Sequence, residues 1–201
     1  MKTKIQLLPF EMDLVGNTDI ILTKNAIIQK IKLFLEELQV NQLSIIEKYQ
    51  MVFPKEVLIT SPKISKGENY KGLPWLILDN PRHFNIDNTF AIRTMFWWGN
   101  FFSITLHLSG QYKFFLQTNI IKNYTGLSSG DAYLCVEENQ WEHDLDSRNY
   151  KLIHQLTADE MEKIINEKSF LKIAKKFPID QLDKMETILS ENFELLLNFC
   201  N

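Results

Sequence analysis

Hydrophobic positions along this chain recur first at helical spacing, then in alternation, then at helical spacing again. From Thr23 to about Tyr49, Ile27, Ile28, Ile31, Phe34, Leu35 and Leu38 form a stripe with three- and four-residue steps, the pattern of an amphipathic helix. Thr23 or Asn25 is the candidate cap. Val40-Asn41 is a candidate break before a second segment with Leu43, Ile45, Ile46 and Tyr49, and Pro54 is the stop. The middle of the chain reads as strands: Val57 to Thr60, Tyr70 to Asp79 (an edge strand, because it carries Pro74), Ala132 to Glu137 and Tyr150 to Gln155. Ser61 to Asn69, Asn80 to Asn88, Thr125 to Gly130 and Asn139 to Asn149 read as polar connections, and Gln111 to Tyr124 as a helix with Phe114, Phe115, Ile120 and Ile121 as an imperfect stripe, although Tyr112 to Gln117 also suits a strand.

The most informative stretch is Phe90 to Ser109, two aromatic-rich runs around Gly99-Asn100. Read as a hairpin with a two-residue turn, it pairs Trp98 with Phe101 and Trp97 with Phe102. One face then carries Ala91, Arg93, Met95, Trp97, Phe102, Ile104, Leu106 and Leu108, apolar except for Arg93. The other carries Phe90, Ile92, Thr94, Phe96, Trp98, Phe101, Ser103, Thr105, His107 and Ser109. At the C-terminal end, Thr157 and Glu160 make a capping box before Met161, Ile164 and Ile165. A second helical segment runs from Phe170 to Phe177. Asp180 caps a last helix with Leu182, Met185, Leu189, Phe193, Leu196 and Cys200 on one face.

These elements predict an α+β fold over residues 1–201: a helical segment at 23–52, a mainly antiparallel sheet of about five strands at 56–155, and helices at 157–200. The sheet is built on the 90–109 hairpin and flanked by the terminal helices. Composition agrees with one packed domain: 201 residues, 45% hydrophobic, with 14 phenylalanines and 4 tryptophans to fill a core. A net charge of −3 argues against a generic nucleic-acid or anionic-membrane binder. The N-terminus lacks the pattern of a signal peptide, and no apolar run has the length of a membrane span. The two cysteines, Cys135 and Cys200, are too few for a disulfide framework. The expectation is a soluble cytoplasmic protein.

The chain carries none of the common nucleotide, hydrolase or paired-cysteine motifs, and its seven glycines supply phosphate cradles poorly. The acidic run Glu137, Glu138, Glu142, His143, Asp144 and Asp146 matches no metal-binding loop and reads by default as a solvated connection. Arg93 is the one charge on an apolar face. It needs a partner such as Asp79, an outlet to water, or a ligand anion. His107 lies on the mixed face among hydroxyls and aromatics. Trp98, Tyr70 and Arg82 stand nearby in the expected arrangement, so Arg93, His107, Trp98, Arg82 and Tyr70 are the candidate ligand-binding residues. The expected function is binding of a small anionic or aromatic ligand, or a partner, without catalysis. The alternative is an enzyme that uses Arg93 and His107 with neighbouring acids. No cofactor, metal or oligomeric state is implied.

Overall fold

The chain begins with two helices in the computed structural model, which describes residues 4–49, 53–146 and 148–200. α1 (Pro9–Gly16) meets α2 (Thr18–Lys48) at Asn17, whose side chain accepts from the Asp19 N–H and caps α2. The cap is therefore upstream of both Thr23 and Asn25, and α2 runs unbroken through Val40-Asn41. Its buried stripe, Ile28, Ile31, Leu35 and Leu38, continues through Gln42 to Ile46. A glutamine at a stripe position interrupts the hydrophobic periodicity without interrupting the helix. Gln42 is fully buried because it is satisfied: it accepts from Asn80 Nδ2 at 3.1 Å and donates to Thr94 Oγ1 at 3.4 Å.

Val57 to Thr60, expected as a strand, is instead the one-turn helix α3 (Lys55–Leu58) and its exit, opened by Pro54, with Val57 pointing into the core. The polar stretch expected as a loop is β1 (Lys63–Tyr70), an edge strand guarded by Lys63 and Lys66. Lys71 and Gly72, both at positive φ, turn it tightly into β2 (Leu73–Phe84), whose length takes in Asn80 to Phe84, expected as loop. β2 is an interior strand rather than an edge. β3 (Thr89–Trp97) and β4 (Phe101–Ser109) follow, and their register corrects the expected one. Trp97 pairs with Phe101 and Phe96 with Phe102. The loop has three residues, with Asn100 N–H donating to the Trp97 carbonyl and Gly99 at φ 71. One extra loop residue moves β4 over by one against β3. Trp97 and Arg93 therefore lie on the face opposite Phe102, Ile104, Leu106 and Leu108.

α4 (Gly110–Lys122) turns Tyr112 and Ile120 inward and leaves Phe114 and Phe115 exposed, contrary to the expected stripe. The Thr125 to Gly130 connection contains the short helix α5 (Tyr124–Ser128). β5 (Tyr133–Cys135) and β6 (Tyr150–Leu152) pair with each other, and the capping box forms at the head of α6 (Ala158–Glu167). The segment expected as a second C-terminal helix is β7 (Phe170–Pro178). Phe170 to Phe177 satisfies both periods, and the choice is made by β4, against which β7 pairs along its length. α7 (Met185–Asn198) starts after Asp180 and Leu182, and Leu182 is exposed.

Among the described residues the strands form one seven-stranded antiparallel sheet, more than the five expected, in the order β1-β2-β3-β4-β7-β5-β6. Helices from both ends of the chain cover one face over an apolar core of Leu76, Leu78, Phe90, Ile92, Phe96, Phe102, Ile104, Leu106, Leu171 and Ile173. The architecture is α+β, as the pattern predicts. Among the described residues no helix is long and apolar enough to cross a membrane. The opposite face carries Asp79, Arg93, His107 and Lys172 beside an apolar cluster of Ile77, Met95 and Trp97, and the connection between β5 and β6 lies against its polar part.

Candidate ligand-binding site

Arg93 and Asp79 are directly opposed across β3 and β2. Arg93 Nε donates to Asp79 Oδ1 at 2.7 Å and a terminal nitrogen donates to Oδ2 at 3.0 Å, a two-pronged ion pair in which both side chains are largely buried. The partner expected from the sequence is the partner found. The other terminal nitrogen of Arg93 donates to His143 Nε2 at 2.9 Å. Because arginine only donates, His143 Nε2 has no proton, and the neutral ring carries it on Nδ1. Three of the five guanidinium N–H groups are thus engaged, and the other two meet no protein acceptor among the described residues.

His143 belongs to the 136–149 connection, which lies against the sheet instead of extending into water as expected. Three groups from the sheet hold it down. Lys172 on β7, 1% exposed, donates to the backbone carbonyls of Gln140, at 3.0 Å, and of Glu142. Tyr150 Oη donates to the Glu142 carbonyl at 3.0 Å. Tyr70 Oη donates to the Glu142 carboxylate and accepts from the N–H groups of His143 and Asp144 at 2.8 and 2.9 Å. The carboxylates of the acidic run are met by cations: Asp144 and Glu142 by Lys71, Asp146 by Arg148, Glu138 by Lys168. Among the described residues no group of three or more His, Cys, Asp or Glu side chains is placed to hold a metal ion.

The connection and the sheet leave a concavity of about 380 Å³ between them, lined by Ser65, Asn69, Tyr70, Trp75, Ile77, Asp79, Arg93, Met95, Trp141 and His143. Gly67, paired with Trp75, admits this tryptophan: a Cβ at Gly67 would lie 2.6 Å from the indole. Trp141, 48% exposed, forms the outer wall. Its ring is 5.9 Å from the Arg93 guanidinium and edge-on to His107 at 5.5 Å.

The electrostatics of the floor are unusual. Among the described residues no carboxylate pairs with the buried Lys172, and burial lowers its pKa to about 8. Burial, then Lys172 and Arg93, depress His107 to about 3. The same causes in the same order push His143 well below the usual histidine value. Burial opposes the charge on Glu142, but hydrogen bonds from Tyr70 and the Asp144 N–H, with Lys71, outweigh it and hold the carboxyl below its usual range. Two cations therefore face two neutral imidazoles beneath the connection.

Of the five candidates from the sequence, the fold brings Tyr70 and Arg93 to one concavity. His107 lies next to it but beneath Trp141, 2% exposed, with Nε2–H donating to Gln140 Oε1 at 3.1 Å. Trp98 sits in the hairpin loop, where it packs edge-on against Phe96 and lines a groove with α2. Arg82 lies beyond the β2 bulge and donates from Nε to the Ser61 carbonyl at 2.8 Å. Sequence reasoning missed Trp141, His143 and Lys172 as members of the site. The one signal was that Trp141 and Leu145 interrupt an otherwise acidic, polar run, which marks a connection with something to bury. Compared with known proteins, the chain matches no family model, no curated protein and no solved structure.

Proposed function

We propose that the concavity beside Arg93 binds a small planar molecule bearing a carboxylate or similar anion, and that the protein acts as a binder. The observation that carries this reading is Arg93 itself. Asp79 and His143 fix its orientation while two N–H groups meet no acceptor among the described residues, and Trp75, Tyr70 and Trp141 supply aromatic walls around it. A fixed guanidinium fork suits bidentate recognition of a planar anion, and aromatic walls supply contact area with little loss of side-chain freedom. Lys172 adds positive potential from below. The imidazoles reinforce the reading in a negative sense: His107 is covered, and His143 spends its unprotonated nitrogen on Arg93, so neither stands ready as a general base. A reducing cytoplasmic setting belongs to the same reading, supported by two buried free thiols, Cys135 and Cys200.

The test is a thermal-shift screen with aromatic carboxylates such as benzoate and indole carboxylates, against their uncharged amides, at up to about 10 mM, enough to reveal millimolar binding by mass action. Carboxylates raise the midpoint and the amides do not, and Trp141→Ala removes the shift while the unliganded protein keeps its cooperative unfolding. Equal shifts for acids and amides, or none for either, would sink the proposal.

A further inference from the structure

The polar groups that line the concavity beside Arg93 are engaged unevenly. Asp79 uses both carboxylate oxygens on Arg93. Tyr70 Oη gives its proton to the Glu142 carboxylate and takes the N–H groups of His143 and Asp144. Asn69 Oδ1 takes the Gly72 N–H at 3.2 Å. The groups left over are mainly donors. Neither the two remaining N–H groups of Arg93 nor the Asn69 amide nitrogen meets an acceptor among the described residues. The Ser65 hydroxyl can serve either way.

His143 adds a further donor, and Arg93 is the reason. A neutral imidazole carries one proton. Arg93 donates to Nε2 at 2.9 Å, so the proton sits on Nδ1. That Nδ1–H has no acceptor among the described residues. The residue is also fixed. Arg93 holds one edge of its ring, the Tyr70 ring lies 5.8 Å away, and its backbone N–H donates to Tyr70 Oη at 2.8 Å. A donor held in place, with nothing in the chain to receive its proton, is ready for an acceptor from outside the chain. One hydrogen bond joins Arg93 to His143, so the guanidinium and Nδ1–H stand little more than an imidazole's width apart. That spacing suits two acceptors on adjoining carbons of one ligand.

We propose that His143 determines the specificity of this site: held by Arg93 with its proton on Nδ1, it donates to a carbonyl oxygen beside the ligand's carboxylate, which makes the ligand an aromatic α-keto acid. This rests on the reading of the concavity as an anion site and narrows it. A keto oxygen only accepts, as a donor-rich lining requires. A hydroxyl at the same carbon would bring its own proton to a lining whose carboxylate, Asp79, is already engaged on both oxygens.

The test compares phenylglyoxylate, mandelate and phenylacetate, which share a phenyl ring and a carboxylate and carry a keto group, a hydroxyl or neither on the carbon between. By titration calorimetry wild type binds phenylglyoxylate most tightly, about tenfold ahead of phenylacetate, the worth of one well-made hydrogen bond. In His143→Phe the preference disappears: phenylglyoxylate falls to the level of phenylacetate, whose own affinity holds. Without any ligand, a long-range nitrogen–proton NMR correlation shows His143 protonated at Nδ1 and bare at Nε2. An order in which phenylglyoxylate is not first overturns the inference while leaving an anion site standing. So does a proton on Nε2, or a His143→Phe chain that loses both ligands alike, which would make the residue a support only. Binding of none of the three removes the anion site and this inference with it. The wild-type and NMR arms need no variant, so a His143→Phe chain that fails to fold does not shelter the proposal.

Discussion

Arg93 shows how a single residue can be read correctly while its surroundings are not. One charge in an otherwise apolar alternation demands a partner, and Asp79, one strand away, supplies it at 2.7 Å. Because both side chains are largely buried, removing one partner leaves an uncompensated charge. Arg93→Met is therefore expected to cost about 3–5 kcal/mol of unfolding free energy, and Arg93→Met with Asp79→Leu distinctly less than Arg93→Met alone. Urea denaturation of the two variants checks this. A single variant within about 0.5 kcal/mol of wild type would mean that the pair is solvated. His143, Trp141 and Lys172 were not legible, because their roles rest on contacts to residues many positions away. Nothing in Glu142-His143-Asp144 says that the Glu142 carboxylate turns in to Tyr70 while the carbonyls of Gln140 and Glu142 are held down by Lys172 and Tyr150.

At the scale of elements, the errors share a physical origin. Gln42 hides the continuity of α2, since the stripe criterion registers only apolar residues. β1 hides as a loop because an edge strand half in water has few apolar positions. β7 hides as a helix because its apolar residues fit either period until β4 selects the extended form. The hairpin was found, but Gly99 at positive φ serves a three-residue loop as readily as a two-residue one, and that single residue decides which side chains face the helices. Either register puts Ile104 and Leu106 on the apolar face, and their burial has a measurable consequence. Ile104 and Leu106 sit under the helices with no exposure, and Leu106→Ala or Ile104→Ala should each cost about 2–5 kcal/mol as an emptied core position. Chemical denaturation reads the loss directly, and losses under about 1 kcal/mol for both would place them at a solvated face.

The whole molecule is a sheet with two unlike faces, and pH should separate them. The helix side is apolar around the buried amides of Gln42 and Asn80, which do not titrate. The other side buries imidazoles in neutral form. His107 falls to about 3 in the folded chain, against an ordinary value of 6.5, so below pH 6.5 the unfolded chain binds the proton that the folded chain refuses. That stability is present in full above about pH 6.5 and declines as pH falls toward 3, with a limiting slope of about 1.4 kcal/mol per pH unit from this one group. His143 acts in the same direction. Between pH 6 and 5, before most carboxylates titrate, denaturant midpoints should fall, and His107→Gln should remove part of the slope. A midpoint flat across that interval, or a His107 ring that titrates near 6.5 by NMR, would show that the connection does not seal the sheet.

The site itself is read most directly through the indole N–H signals of the four tryptophans in a nitrogen–proton NMR correlation spectrum. Trp75 and Trp141 wall the concavity beside Arg93, whereas Trp98 lines the groove on the opposite face of the sheet. Titration with an aromatic carboxylate that raises the melting midpoint should move the Trp75 and Trp141 signals together, along one saturable curve, and leave Trp98 in place. Movement of Trp98 alone, or four unmoved signals at a saturating concentration, would contradict a ligand site at Arg93.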